Sequence, residues 1–222
     1  MDRQKVPLFE AGCEHPTHGT TDRVAERLVG AFSGWPAAND WVHGHGWSIM
    51  HCCTGNGTRT VYQVWKDIVT WEDGQLRVNL LMNRASPWAD INSHIPFTGR
   101  VDVRIKQDLL LEIRMPEWCE PEQACCQVNG EHRPLTFDVR YAQVGQVQAD
   151  DEVVFEFPIT ERTEQLEIEN QNYTVTLRGN DVVYIDPAGK TCPLYQKGHF
   201  RLGETSWKKT NRWVPDKEIS WM

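Results

Sequence analysis

The spacing of apolar residues along the chain changes near residue 73 from a helical period to an alternation of two. Between residues 58 and 69 apolar side chains recur at intervals of three and four, which predicts a helix of about three turns with one apolar face. The residues on that face are Val61, Tyr62, Val64, Trp65, Ile68 and Val69. A second helical pattern occupies residues 21–32 behind Thr21, whose side chain can cap a helix.

After residue 73 the pattern is typical of β-strands. Short segments there alternate or run apolar over strand lengths, and turn sequences such as VNGE and RGND separate them. The segments are residues 76–83, 101–106, 109–115, 135–141, 152–157, 165–169, 173–179 and 181–186. The sequence therefore predicts a mainly β fold. We expect a loop-rich segment with one or more helices in residues 1–72, too poor in apolar residues for an independent domain, then a β-sandwich in residues 73–190 and a tail in residues 191–222.

Composition limits the classes of partner. The 222 residues are 40% hydrophobic, enough to bury at least one core, and the net charge is −8. This charge argues against nucleic acid or an anionic membrane surface as the main partner, because both would repel the chain. No run of about 18 apolar residues exists, and the N-terminus lacks the plan of a signal peptide. We expect a cytoplasmic location for the chain as given, and a truncated N-terminus would leave secretion open.

The cysteines indicate free thiols or metal thiolates. There are seven, an odd number, and four form the vicinal pairs Cys52-Cys53 and Cys125-Cys126, which suits a disulfide framework poorly. Cys52 and Cys53 stand directly before a predicted helix start, where the helix dipole lowers the pKa of a thiol. Two adjacent thiolates are half of a tetrahedral zinc site, which takes three or four protein ligands. The second pair, at a strand start, is interpreted as structural.

Further zinc ligands could come from other segments of this chain. The candidates are Cys13, Glu14, His15, His18, His43, His45 and His51. Their spacing matches no standard zinc finger or ribbon. The alternative is that the vicinal cysteines are small buried hydrophobic residues and that the histidines belong to loops or the surface. The residues by themselves leave both interpretations open.

Four segments resemble the closing part of glycoside hydrolase family 127, the β-L-arabinofuranosidase-like family. They are TTDRVAERLVGAFSGWPAANDW, HCCTGNGTRTVYQVW, GQLRVNLLMNRASPW and LLLEIRMPEWC. The most specific element is the Cys-Cys-x-x-Asn block, here Cys52, Cys53 and Asn56. In that family an α/α toroid of helices carries the active site, and β-sandwich domains follow it. The resemblance implies that this chain holds the terminal helix or helices of a largely missing toroid and one sandwich.

The resemblance also implies a chemistry. It implies a retaining glycosidase acting on an arabinofuranoside-type glycan, with Cys52 as nucleophile and zinc ligand and Cys53 as zinc ligand. Zinc would keep the sulfur deprotonated, so that a thiolate takes the role usually played by a carboxylate. The family's Glu-x-Cys zinc motif and its acid/base glutamate lie upstream, and neither role transfers to Glu14 or Cys13. We therefore expect a fragment of a hydrolase that is inactive alone.

Three residues near the cysteine block in sequence are predicted to contact substrate. Asp40 and His51 would orient a zinc ligand or a sugar hydroxyl, and Trp41 would stack on a sugar face. Ordinary loop and packing roles are the alternative. The apolar face of residues 61–69 predicts packing against an upstream toroid domain or self-association. Two other functions stay open, namely a non-catalytic sandwich that binds carbohydrate or docks on a toroid, and a thiolate-metal or redox protein.

Overall fold

The computed structural model describes residues 32, 38–39, 51–189, 194–203, 211–212 and 214. The chain divides into two compact units. Unit 1 comprises Met1–Gln63, Arg162–Leu177 and Val182–Gly198, and unit 2 comprises Val64–Glu161, Arg178–Asp181 and His199–Met222. The helix predicted in residues 21–32 lies outside the described residues, apart from Phe32. The predicted domain limits at residues 73 and 190 stay a prediction.

Helix α1 spans His51–Lys66 and begins earlier than apolar spacing predicts. Its first two turns are polar and carry two glycines, so they have no apolar period to detect. Short polar side chains bond back to carbonyls one turn earlier: Asn56 Nδ2 donates to Cys52 O at 2.9 Å and Thr58 Oγ1 to Thr54 O at 2.8 Å. These bonds tie the polar side chains to the helical backbone.

The prediction that Ile68 and Val69 belong to this helix is wrong. Val69 begins strand β1 (Val69–Glu72), which pairs antiparallel with β2 (Gln75–Val78). The connecting Asp73-Gly74 turn has φ values of 45° and 85°, the geometry for which Asp-Gly is favoured in tight hairpins. The β-branched and aromatic residues of β1 suit a strand. A local hairpin therefore overrides the helical spacing at this point.

The described residues contain fourteen strands. After β1 and β2 they are β3 (Arg84–Ala85), β4 (Ala89–Ser93), β5 (Arg100–Ile105), β6 (Leu109–Arg114), β7 (Cys125–Val128), β8 (Glu131–His132), β9 (Thr136–Asp138), β10 (Tyr141–Val147), β11 (Glu152–Glu156), β12 (Glu161–Ile168), β13 (Gln171–Arg178) and β14 (Asp181–Asp186). Two short 3₁₀ helices are η1 (Pro121–Gln123) and η2 (Gly198–Leu202).

Two of the three sheets form a sandwich in unit 2. The order is β1-β2-β6-β10-β9 in the five-stranded sheet and β3-β4-β5-β11-β7-β8 in the six-stranded sheet. Both sheets contribute to one buried cluster. Its members include Leu76, Val78, Leu111 and Ile113 from the first sheet and Ile91, Val101, Val103, Val153 and Phe155 from the second. The mainly β, sandwich-type fold predicted from the sequence is confirmed, and the toroid stays a prediction.

Alternation on β5 and β11 fixes which side chains leave the sandwich core. Val101 and Val103 are buried, and the antiparallel register places them opposite Phe155 and Val153. Successive side chains on a strand point to opposite faces. The polar residues between them therefore face outward, and the same register sets Arg100 opposite Glu156 at the end of the two strands.

The segment of residues 135–141, predicted as one strand, is two. β9 ends at Asp138 and β10 begins at Tyr141, and they pair with each other across a tight turn. Val139 in that turn has a φ of 52° and is 87% exposed. A β-branched residue is disfavoured at positive φ, so this turn could not be predicted from the local sequence.

The third sheet has the order β12-β13-β14. β12 and β13 are joined by Glu169-Asn170, both at positive φ. In unit 1, Tyr173, Val175 and Ile185 form a small buried cluster of their own. β14 has the predicted bounds 181–186 and β13 lies within two residues of the predicted 173–179, whereas β12 begins four residues before the predicted segment 165–169.

Candidate functional site

Cys52 and Cys53 lie in the first turn of α1, which begins at His51. The prediction that they stand just ahead of the helix is therefore wrong, because both cysteines lie inside it. The two Sγ atoms are 3.7 Å apart, and both cysteines are free thiols. Cys52 is exposed and Cys53 is partly buried. Both sulfurs are thus close together at the end of the helix that carries unpaired N–H groups.

Asn56 fixes the backbone beneath the pair. While its amide nitrogen donates to Cys52 O, its Oδ1 accepts a hydrogen bond from Arg59 Nη2 at 2.8 Å. The asparagine of the Cys-Cys-x-x-Asn block therefore acts on the cysteines through the main chain. Sequence reasoning noted Asn56 as part of the block but missed Arg59, which follows one turn later on the helix and could have been found from that spacing.

Gly57 allows the ring of Phe32 to pack against the helix. A Cβ at residue 57 would lie 2.6 Å from Phe32 Cγ, closer than any side chain tolerates. Phe32 N also donates to Thr54 Oγ1 at 3.4 Å. Around Gly55, in contrast, nothing lies within 4 Å of such an atom. The glycine needed for close approach is Gly57, and the group that approaches it is an aromatic side chain of the same unit.

The prediction of a lowered thiol pKa at this helix start is wrong for Cys53. Its pKa is raised, first by the hydrogen bond with Cys52, then by partial desolvation and by the like charge of the neighbouring sulfur. Two thiols at this distance resist losing both protons, because the second thiolate forms beside the first. Without a cation to hold both charges, the pair favours at most one thiolate.

Removing Cys52 is therefore expected to lower the pKa of Cys53. In Cys52→Ala, Cys53 loses the hydrogen bond and the like charge, so more of it is thiolate at a given pH and iodoacetamide alkylates it faster. The pH–rate profile, followed by peptide mass spectrometry, should shift to lower pH. Cys125→Ala, which removes an exposed thiol of unit 2, is the matched control and should leave the Cys53 profile in place. An unchanged profile in Cys52→Ala would contradict the coupling.

The distance between the two sulfurs suits one zinc ion. Two thiolates at about 2.3 Å from a tetrahedral zinc stand about 3.8 Å apart, close to the separation found here. Within the described part of the chain, however, no group of three or more His, Cys, Asp or Glu side chains lies close enough to hold a metal. Cys52 and Cys53 thus fit two positions of such a site, and the described residues supply no further ligand.

The other predicted site residues are not described by the structure. Asp40 and Trp41 lie outside the described residues, as does the side chain of His51, although its backbone starts α1. The further ligand candidates Cys13, Glu14, His15, His18, His43 and His45 also lie outside them. Their predicted roles stay predictions.

The second vicinal pair has a different geometry. Cys125 and Cys126 open β7, and because neighbours on a strand point to opposite faces, Cys125 is exposed while Cys126 lies in the core. Burial raises the pKa of Cys126 to about 11. This pair cannot place two sulfurs on one ion, which makes it a matched comparison for the helical pair.

Sequence reasoning missed a group of polar residues on unit 2. Asp102 lies within hydrogen-bond distance of both His94 and Arg100, and Arg100 lies 3.9 Å from Glu156 on the neighbouring strand. The alternation of β5, with Arg100, Asp102 and Arg104 between buried valines, was a usable signal for an outward charged row. The strand pairing that brings Glu156 beside Arg100 was not readable from the sequence.

Among the residues that the structure describes, no helix has both the length and the apolar character needed to cross a membrane.

No protein-family model matches the chain, and no curated protein matches it. Solved structures are similar to it. A GH127 β-L-arabinofuranosidase from Geobacillus stearothermophilus T6 has a TM-score of 0.45 and 22% identity over 59% of this chain and 23% of its own. A structure described as a glycoside hydrolase has a TM-score of 0.48 and 23% identity over 60% of this chain and 25% of its own.

A third similar structure is a GH127 β-arabinofuranosidase, BT3674, with a TM-score of 0.46 and 17% identity over 59% of this chain and 25% of its own. The chain spans about a quarter of the length of these structures. Two of the three carry the name of the family that the sequence resembles.

Proposed function

We propose that this chain supplies the nucleophile and two zinc ligands of a retaining glycoside hydrolase that acts on an arabinofuranoside-type glycan. The observation that carries the proposal is the pair of sulfurs 3.7 Å apart at the start of α1, inside the Cys-Cys-x-x-Asn block. The resemblance gives Cys52 as the nucleophile and Cys53 as a ligand only, and the exposure of Cys52 beside the partly buried Cys53 supports that assignment. The sugar class comes from the resemblance of the sequence.

The chemistry follows from the sulfur's charge. Bound zinc would hold both sulfurs deprotonated, because its positive charge would offset the repulsion between the two neighbouring thiolates. The Cys52 thiolate attacks the anomeric carbon, and the carbon–sulfur bond forms as the bond to the leaving oxygen breaks. Water then displaces the sulfur from the opposite face, so that two inversions give net retention.

The leaving oxygen needs a proton, and no residue of this chain is assigned that role. Loss of a general acid typically costs about 10²–10⁴ in rate. The proposal therefore includes slow or absent turnover by this chain alone, with the acid and the remaining zinc ligands supplied by further polypeptide. Asp40, His51 and Trp41 are proposed to contact the sugar.

Covalent capture tests the nucleophile without requiring turnover. The full chain, loaded with zinc, is incubated with an epoxide shaped like β-L-arabinofuranose, whose ring opening needs less help from an acid than glycoside cleavage. Peptide mass spectrometry should place the adduct on Cys52. In Cys52→Ala the adduct should fall to the level given by an epoxide that lacks the sugar ring. Equal labelling of the wild-type chain by both reagents would contradict the proposal.

A further inference from the structure

A cleft of about 580 Å³ opens on unit 2. Its lining includes His94, Gly99, Arg100, Gln123, Glu156 and Phe157. The volume lies within the range of about 300–1,000 Å³ usual for small-molecule sites. The lining differs from most such sites because ionisable and amide side chains outnumber apolar ones. The composition therefore favours a ligand recognised mainly by hydrogen bonds.

The polar side chains of the cleft are held in place before any ligand arrives. Asp102 accepts a hydrogen bond from Arg100 Nε at 2.7 Å on one carboxylate oxygen, and His94 Nε2 lies 2.9 Å from the other. Arg100 Nη1 also lies 3.9 Å from Glu156 Oε1 across the strand pair. Side chains fixed in this way lose little conformational entropy on binding.

The backbone around the cleft is closely packed. A Cβ at Gly99 would lie 1.9 Å from Phe157 O, so the strands that carry Arg100 and Glu156 approach each other here as only glycine permits. Phe157 N donates to Gly99 O at 2.8 Å. Within the same unit, the rings of Phe97 and Phe200 meet edge to face with centroids 5.5 Å apart. The close approach of Gly99 and Phe157, both of which line the cleft, fixes the backbone at its wall.

The charged side chains around the cleft argue against an anionic ligand. Arg100 contributes a positive charge and Glu156 a negative one, and the two lie opposite each other. Asp102, directly behind Arg100, adds a second carboxylate, so the three side chains together are net negative and an anion finds no net attraction. Glu156 accepts hydrogen bonds, Arg100 donates them and Gln123 does both. Vicinal hydroxyl groups, each both donor and acceptor, match this mixture.

We propose that this cleft binds a neutral sugar unit of a glycan and does not cleave it. The choice of carbohydrate among neutral polyhydroxylated ligands rests on the proposed function, whereas the site itself rests on the cleft and its charge balance. Through this cleft the sandwich would bind the glycan without Cys52 and without a metal. Because the cleft is open and offers little apolar surface, we expect the dissociation constant to be in the millimolar range.

Titration of the ¹⁵N-labelled full chain with an L-arabinofuranosyl disaccharide, followed by NMR, tests the proposal. The amides of the lining residues are expected to shift, namely those of His94, Thr98, Gly99, Arg100, Gln123 and Glu156. Glu156→Gln, which keeps the size of the side chain, should weaken binding by about tenfold or more, since a charged hydrogen-bond acceptor is lost. Arg100→Met should do the same. Arg104→Met is the matched control, because Arg104 lies on the same strand, is 63% exposed and pairs with Asp150 outside the cleft.

Cys52→Ala separates this proposal from the previous one. That variant should lose the covalent adduct and keep the NMR shifts of the cleft. Two results would overturn the sugar site: no shift of the cleft amides with the disaccharide at tens of millimolar, or equal binding by wild type and Glu156→Gln. Tighter binding of glucuronate than of the neutral disaccharide would overturn the assignment of a neutral ligand.

Discussion

Replacing Cys52 by serine is expected to weaken metal binding by this chain more than about 100-fold, because losing one direct ligand exceeds the 10–100-fold cost of losing an outer-shell partner. Cadmium is a suitable probe, since its bonds to thiolates absorb in the ultraviolet and report how many sulfurs coordinate. The wild-type chain should show the absorbance of two thiolates and Cys52→Ser at most that of one. Competition with a chromogenic zinc chelator gives the affinity.

The second cysteine pair controls that measurement. Cys125→Ser removes an exposed thiol whose neighbour Cys126 is buried in the core, so metal affinity should not change. Zinc should also protect Cys52 and Cys53 from iodoacetamide while Cys125 stays reactive. Equal losses of affinity in Cys52→Ser and Cys125→Ser would rule out the helical pair as the metal site.

Leu111→Ala is expected to destabilise unit 2 by about 3 kcal/mol, in the usual range of 2–5 kcal/mol for a buried leucine. Leu111 is 1% exposed in β6 and pairs with Leu76 of β2. Truncation leaves a cavity where the two sheets share their core. Urea unfolding, followed by tryptophan fluorescence, should show a lower midpoint with little change in slope.

The neighbouring residue provides a control of identical chemistry. Leu110 precedes Leu111 on the same strand but is 47% exposed. Because adjacent side chains point to opposite faces, Leu110→Ala should cost less than about 1 kcal/mol. If the two variants lost equal stability, the assignment of the inner and outer faces of β6 would be wrong.

The same pair shows what the sequence could and could not predict. The run LLLEIRM was correctly predicted as a strand, since it is apolar over a strand's length and flanked by turn residues. An unbroken apolar run does not say which leucine faces inward. Val101, Val103 and Ile105 alternate with polar residues, so for β5 both the strand and its inner face followed from the pattern.

At the cysteine pair the motif was predictable and its electrostatics were not. The Cys-Cys-x-x-Asn block singled out the cysteine pair as a candidate by residue type alone. The pKa of a thiol at a helix start also depends on its distance from a neighbouring sulfur, and side-chain conformation sets that distance. At Cys53 the neighbouring sulfur raises the pKa, opposite to the direction expected from the helix start. The cleft was missed because the pairing of Arg100 with Glu156 joins strands far apart in sequence.

The order of the strands has a consequence for folding. The chain enters the five-stranded sheet with β1 and β2, leaves it for β3 to β5, returns with β6, leaves again for β7 and β8, returns with β9 and β10, and ends in the six-stranded sheet with β11. β2 and β6, which are parallel neighbours, meet only after the intervening strands have crossed to the opposite sheet. Neither sheet is a contiguous stretch of polypeptide, because the strands of one sheet are interleaved along the chain with those of the other. A break between β6 and β7 would therefore divide both layers at once.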